Sequence, residues 1–428
     1  MSINQNFPNV WPSLVLDFAN SRTLDPRITF TRSSIGTYVA SNGLIKTAAA
    51  DEPRFDHDPE TAESLGLLIE ESRTNLFTNS AFSQITTTSL PTEWSGWNPP
   101  TFLTSQTLSP DGVAYGIFHG SVNTNGGGLR RDMTGLTPGG TYYVSYYVKG
   151  LTAEELTYFT NNNAIGTTTG TAVGAQDVAW FAATKVILYC SNLNGTGASG
   201  TYQTTLTTEW KRFGGVVIAD SAGSARIIIT NNVGDVGTGD EDGGGTWMIW
   251  GAQLELGSFP TSYIPTSGST VTREPDITKI TGTNFSSWYN QNEGTVLVEY
   301  DGGRLTSFPS GYGRLATTES WSMEHGNSGT IRYFGVTGGA YNAFTALVDT
   351  YTNFSKYAIS IENSTYVSAA SDGILETSIT GAVTYSTTAT KMNIGSSPSA
   401  TYQTNGHIKQ LLYYPERLTN DQLQTLTK

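Results

Sequence analysis

The sequence predicts an all-β chain, tandem β-sandwiches with a small N-terminal β module. Three observations carry this expectation. Charged residues make up only 14% of the 428 positions, against the usual quarter, while Thr, Ser, Asn, Gly and Tyr abound. Short runs of β-branched and aromatic residues recur between Gly, Asn and Pro punctuation. No heptad, long amphipathic helix or fixed-period repeat is visible. Hydrophobic residues at 37%, together with 47 glycines, are sufficient for buried cores. The length implies more than one core, since single cores stop growing near about 250–300 residues.

Taken in order, Leu14–Phe18, Ile28–Arg32 and Gly36–Ala40 read as short strands. Ser41-Asn42-Gly43 then supplies a hairpin turn into Leu44-Ile45. Asp51–Pro59 reads as a charged loop and Leu65–Glu70 as a further strand, its glycine favouring strand over helix. This stretch is too small for a sizeable core of its own and is expected to pack on the sandwich that follows. From Asn75 to about Thr272, strands are expected at Ala114–His119, Thr141–Lys149, Val186–Cys190, Lys211–Ala219, Ala225–Thr230 and Thr246–Leu256. Beyond Ile277 they are expected at Gly294–Tyr300, Thr330–Val336, Thr345–Val348, Lys356–Ile361, Tyr366–Ala370, Lys391–Ile394 and His407–Tyr414. A short terminal helix, capped by Thr419 or Asn420, should carry Leu423 and Leu426.

The joint lies at Trp247–Asp276. Its first part, TWMIWGAQLEL, is apolar enough for a buried strand, with Trp247 and Trp250 facing inward. Pro260 and Pro265 then force an extended path, and a second short strand, Ser269–Thr272, precedes Glu274-Pro275-Asp276. Thr29-Phe-Thr-Arg32 and Thr270-Val-Thr-Arg273 echo one another. The expectation is that the returning segment runs beside Ile28–Arg32. It would stitch the first two modules into one rigid body and leave the third hinged near Glu274-Pro275.

Composition excludes several classes. The net charge is −13, and no Lys/Arg run exceeds two, which disfavours nucleic acid. Cys190 is the single cysteine, so neither an intrachain disulfide nor a thiolate-clustered metal site is available. The N-terminal residues lack the pattern of a signal peptide, and no apolar run is long enough to span a membrane.

The N-terminal ITFTRSSIGTYVASNGLIKTAAADEPRFDHDPETAESLGLLIEESRTNLF resembles a module common in bacteriophage and prophage virion proteins. WGAQLELGSFPTSYIPTSGSTVTREPD resembles the closing signature of a carbohydrate-binding-module-like jelly roll, and NGHIKQLLYYPERLTNDQLQTLT the last strand and helix of LamG-like (concanavalin A-like) domains. The resemblance implies tandem jelly rolls with boundaries at 1–76, 77–273 and 274–428. It also implies a non-enzymatic virion surface protein, a head fibre or capsid decoration or else a tail fibre. Such a protein would be assembled in the host cytoplasm, contact other capsid or tail proteins and host surface glycan, and form a homo-oligomer of the trimeric fibre kind. The alternative is a glycan-degrading spike hydrolase.

The residues add chemistry. Sugars lay C–H faces on aromatic rings, so tryptophans and tyrosines on Pro/Gly-rich stretches are the glycan-binding candidates: Trp94, Trp97, Tyr312 and Trp321. The competing reading, core packing, is preferred for Trp94 and Trp97. Asp56-His57-Asp58 looks like a ligand triplet but reads better as a polar loop capping backbone N–H groups or pairing with Arg54. Oxygen donors on Gly234–Gly245 could hold Ca²⁺, although the spacing fits no EF-hand and a solvated hairpin tip is preferred. The four histidines form no His-Glu-x-x-His run, and neither a Gly-x-Ser-x-Gly elbow nor a phosphate loop is present, so no catalytic residue is assigned.

Overall fold

The computed structural model describes residues 7–82, 90, 93–97, 101–113, 115–121, 128–162, 182–193, 198–231, 245–301, 312–326, 330–335, 346–347, 354–362, 366–375, 379–380, 388–397 and 402–428. Half of the chain is strand and 7% is helix. The N-terminal part carries β1 (Leu14–Asp17), β2 (Ile28–Thr31), β3 (Gly36–Val39), β4 (Ile45–Ala48), β5 (Phe55–His57), β6 (Ser64–Ile69) and β7 (Arg73–Asn75). Next come β8 (Ser95–Trp97), β9 (Thr101–Leu108), β10 (Tyr115–Ser121), β11 (Gly128–Met133), β12 (Thr141–Gly150), α1 (Ala153–Asn162), β13 (Lys185–Ser191), β14 (Ala198–Thr205), β15 (Lys211–Ile218), β16 (Ala225–Thr230), β17 (Gly245–Leu256) and β18 (Val271–Arg273). The remainder holds β19 (Ile277–Thr281), α2 (Thr283–Ser286), β20 (Glu293–Tyr300), β21 (Tyr312–Thr318), β22 (Trp321–Gly326), β23 (Thr330–Gly335) and β24 (Ala346–Leu347). It ends with β25 (Ser355–Glu362), β26 (Tyr366–Ser371), β27 (Ile374–Leu375), β28 (Ile379–Thr380), β29 (Lys391–Ile394), β30 (Gly406–Tyr414) and α3 (Asn420–Leu426).

The chain divides into two compact units, one formed by 74–272 and the other by 1–73 with 273–428. The inserted unit is a sandwich of two five-stranded antiparallel sheets, ordered β15-β12-β17-β10-β9 and β14-β13-β16-β11-β8. Its core draws Val144, Tyr146, Val148, Ile249 and Leu254 from one sheet and Leu129, Leu188, Cys190, Ile227 and Ile229 from the other. Both tryptophans of β17 are fully buried, but on opposite faces. Ser145 pairs with Gln253 while Tyr147 pairs with Trp250, so β17 carries an extra residue at Gly251, whose φ is +67°. That bulge switches the inward parity from Trp247 and Ile249 to Ala252 and Leu254. Trp250 instead packs on the back of the sheet against Tyr147 and Tyr263, at centroid distances of 5.6 and 4.6 Å.

The segment after β17 therefore returns over its own sandwich, where Tyr263 Oη and Ser80 Oγ are 2.6 Å apart and Thr266 Oγ1 donates to Phe77 O at 2.7 Å. The strand beside Ile28–Thr31 is β19, reached only after Asp276, with Ile277 opposite Thr31. The expected return of Thr270–Arg273 along that strand is thus corrected by one strand. Helix α1 was also unforeseen, although Thr152-x-x-Glu155 is a capping box: Glu155 N–H donates to Thr152 Oγ1 and Thr152 N–H to Glu155 Oε2.

The placement of the N-terminal module is likewise corrected. Its strands complete the C-terminal sandwich: β1 and β6 both pair with β30, and β2 pairs with β19. One sheet runs β27-β26-β25-β20-β30-β6-β5 and the other β2-β19-β29-β21-β22-β23-β24. Leu14, Leu16, Leu67 and Ile69 join Val296, Ile359, Leu411, Met392 and Ile394 in one core. Burying these N-terminal leucines and isoleucines needs a facing sheet, and the one that covers them lies more than 200 residues downstream. On the outer face α3 buries Leu423 beside Leu297 and Tyr414, and Thr419 with Gln422 forms its capping box.

Glu274–Asp276, expected to be a hinge, is instead held by buried ion pairs and hydrogen bonds within this unit. The Asp276 carboxylate, fully buried, pairs with Arg32 at 3.0 Å and also with Arg54. Arg54 reaches Glu70 at 2.7 Å, and Glu70 lies 3.5 Å from Arg273. Asp276 N–H donates to Glu70 O, and Glu70 N–H donates back to the Asp276 carboxylate. Burial lowers Arg32, with Asp276 opposing; burial also lowers Arg54, but Asp276 and Glu70 outweigh it and leave that guanidinium raised. Gly36 makes room for the stack, since a Cβ there would lie 3.0 Å from Arg32 Nε and 3.1 Å from Arg54 Cδ. The echoed arginines thus flank one cluster, Arg32 on Asp276 and Arg273 on Glu70, with Arg54 bridging the two carboxylates.

Removing one member of such a cluster leaves buried charges without partners, at a cost of about 3–5 kcal/mol. Asp276→Ala is expected to accelerate amide exchange across β2, β6 and β19 by the corresponding factor, while the amides of β12 and β17 keep their protection. Hydrogen exchange with peptide-level readout measures both.

Candidate functional site

Of the aromatic candidates, Trp94 and Trp321 are buried, 6% and 2% exposed. Trp94 packs between Phe77 and Phe82 at centroid distances of 5.1 and 5.2 Å, which is the preferred core reading. Trp321 donates its indole N–H to Tyr289 Oη at 2.9 Å inside the other core. Neither ring can lie against a sugar, which corrects their assignment as glycan contacts. Trp97 and Tyr312 begin or end described strands, but their side chains lie outside the described residues, as do residues 234–244 of the candidate cation loop.

Asp56-His57-Asp58 is not a loop triplet. Asp56 and His57 belong to β5, while Asp58 accepts the N–H groups of Glu60 and Thr61 as a cap. Asp56 Oδ1 accepts from Val39 N–H at 2.5 Å, and its Oδ2 faces His407 Nε2 at 2.8 Å. The other ring nitrogen of His407 is 2.7 Å from Asp301 Oδ2, and His407 N–H donates to Asp301 Oδ1. Burial by itself pushes His407 down, but Asp301 and then Asp56 outweigh it and hold the imidazolium up to about 10. With both nitrogens engaged and the charge locked, this ring clamps β5, β30 and the end of β20 rather than exchanging protons. His325 is the opposite case, pushed down by burial to about 4 and therefore neutral. The Cys190 thiol is pushed up by burial to about 12.

The surface feature that stands apart is Tyr402. It is 40% exposed, and its φ of +59° puts a bulky aromatic residue in the left-handed region. Such outliers cost on the order of 1–3 kcal/mol and persist where surroundings impose them. Here Arg314 N–H donates to Tyr402 O at 3.0 Å, Thr404 N–H to Gly395 O at 2.8 Å, and Tyr300 Oη to Thr404 O at 3.1 Å. The Arg314 guanidinium lies over the Tyr402 ring, 5.4 Å from its centroid, a cation–π contact. Its Nη1 is 2.5 Å from Glu324 Oε1, a buried carboxylate directly across the β21–β22 pair. A bulge between Arg314 and Ala316 sets this aim. One ring face is held by a fixed cation while the ring as a whole meets solvent. That arrangement offers an apolar platform beside hydrogen-bond donors, the chemistry a saccharide requires. No sequence signal pointed to Tyr402, because its partner is 88 positions earlier.

No family model and no curated protein matches this chain. Among solved structures, part of the chain is similar to the CBM40 of Ruminococcus gnavus IT-sialidase bound to α2,6 sialyllactose. The match has 13% identity, 34% of this chain and 88% of that one, and a TM-score of 0.28. The binding domain of botulinum neurotoxin DC in complex with SialylT aligns at 9% identity, over 36% of this chain and 39% of that one, TM-score 0.29. The same domain in complex with rat synaptotagmin II aligns at 8% identity, over 36% and 40%, TM-score 0.29. The chain thus spans about two fifths of these neurotoxin binding domains, and the architecture described above rests on its own strand pairings.

The His407 clamp makes stability depend on pH. A folded value near 10 lies above the ordinary 6.5, so the contribution is complete below pH 6.5 and is lost as pH rises toward 10. Thermal melting should therefore fall across that window in the wild type. His407→Gln should melt lower at pH 6, by roughly 3 kcal/mol of lost stability, and show a flatter slope. Parallel slopes for the two proteins between pH 6.5 and 9.5 would remove the clamp as the cause.

Proposed function

We propose that this protein is a non-enzymatic bacteriophage virion surface protein, fibre or decoration, that adheres to host-surface glycan through the Tyr402–Arg314 rim. The observation that carries the adhesive part is the exposed tyrosine held in a strained backbone over an ion-paired arginine. A ring that folding alone would bury or relax is instead presented to solvent. The virion part rests on the three stretches that resemble phage modules and on the charge-poor, hydroxyl-rich composition of an all-β chain. Weak single-site contact becomes strong when many copies are displayed on one particle. A non-catalytic role is supported by the state of the titratable groups: His407 is held charged by two carboxylates, His325 is buried and neutral, and the thiol is buried.

The test is binding of the full-length protein to purified host polysaccharide. Tyr402→Gly removes the ring and relieves the left-handed strain, so it should bind about fivefold or more weakly, about 1 kcal/mol of lost contact, while melting no lower than wild type. Tyr402→Phe should keep most of the affinity. Wild-type affinity in the glycine variant would remove Tyr402 from the site, and release of reducing ends from the polysaccharide would overturn the non-enzymatic reading.

A further inference from the structure

A second surface feature, independent of the glycan reading, lies at strand β1. Among the described residues β1 has a single strand neighbour, β30, with Leu14 opposite Tyr413 and Asp17 opposite Gln410. Phe18 N–H donates to Lys409 O at 2.8 Å. Bonding alternates along an antiparallel pair. Leu14 and Leu16 therefore turn their backbone groups toward β30, and those of Val15 and Asp17 point away from it. Beside the strand is a concavity of about 430 Å³, walled by Val15–Phe18 and by the following loop as far as Pro26. Its lining holds Val15 and Asp17, whose backbone groups point away from β30, and no residue of β30.

The chemistry of this groove selects its occupant. Backbone donors and acceptors in a row are matched by another extended backbone, the mode by which a peptide adds a strand to a sheet edge. Of the ten large apolar side chains exposed among the described residues, three fall between positions 7 and 15: Phe7 at 63%, Trp11 at 88% and Val15 at 49%. The lining carries Asp17 and Asp25 and neither lysine nor arginine. Asp25 is neutralised by Arg27 at 2.7 Å, whereas among the described residues Asp17 accepts only from Asn20, through its backbone N–H at 3.1 Å and its side-chain amide at 2.8 Å. Natural sheet edges are commonly guarded by lysine, bulges or a covering segment. Here the strand Leu-Val-Leu-Asp has no lysine and its pairing with β30 shows no bulge.

We propose that the β1 edge accepts an extended peptide segment of a second protein as an added strand. The segment would set an apolar side chain near Val15 and Trp11 and a lysine or arginine against Asp17.

Val15→Pro removes an outward donor and leaves the ladder to β30 intact, as proline is tolerated where the N–H faces away from the sheet. Val15→Lys tests the same edge without the ring constraint, should the proline variant fold poorly. The probe is a displayed library of random linear peptides selected on the full-length wild-type protein. Enriched sequences should alternate apolar and basic residues. A synthetic peptide of the enriched sequence should slow exchange of the Val15 and Asp17 amides by about tenfold or more, and should bind the folded variants about tenfold more weakly. Absence of enrichment, or equal binding by wild type and variants, overturns the proposal. So does sedimentation showing that the wild type self-associates through this edge, which would make a second copy of this chain the occupant.

Discussion

The unit formed by the two chain ends depends on the burial of Asp276. Arg32, Arg54 and Arg273 converge there with Glu70 and Asp276, each less than a tenth exposed. Charges taken out of water stabilise little by themselves, and their value is in what they forbid. A register slip of β2 against β19, or a shift of the segment ending β6, would leave a guanidinium or a carboxylate in apolar surroundings without a partner. The cluster joins residues 32, 54, 70, 273 and 276, so it closes only when the chain, having left at Arg73 and passed through the other unit, re-enters in register. The same logic recurs at His407, where β5, β30 and Asp301 are held by one imidazolium.

The inserted unit solves a different problem. Its strand β17 is buried on both faces over nearly its whole length, which ordinary alternation cannot satisfy with one sandwich core. The bulge at Gly251 changes which side chains face the core midway along the strand, and the returning chain covers the opposite face with Tyr263. A Cβ at Gly251 would lie 2.8 Å from the Tyr147 ring, so the positive φ and the close approach both require glycine. The stretch that reads as a joint is thus also the lid of the sheet it follows.

Recognition chemistry depends on tertiary position more than the fold elements do. Trp94 and Trp321 sit in turn-rich sequence, and a turn-rich setting does not tell a ring that caps a core from one that meets solvent; both are buried. Tyr402 sits in an equally turn-rich run, Gly395–Gly406, and is exposed. Its exposure, its backbone conformation and its cation partner are all consequences of where β21 and β22 lie, and Arg314 reads in isolation as an unremarked strand residue. The Asp56-His57-Asp58 run shows the same limit. Its polar character was legible, but the histidine that completes the constellation is His407, 351 residues from Asp56.

By itself the sequence determined the local units: the strands β12, β16, β17, β29 and β30, the Asn-Gly hairpin between β3 and β4, and the cap of α3. These depend on neighbouring residues, whose propensities and turn chemistry act over a few positions. Only the tertiary structure decided that the N-terminal strands belong with the C-terminal sandwich, that Glu274–Asp276 anchors rather than bends, and that Tyr402 meets Arg314. Each of these is a pairing across long sequence separation. Burying leucine faces and completing an ionic cluster reward such a pairing, and no local pattern encodes which distant partner will supply it.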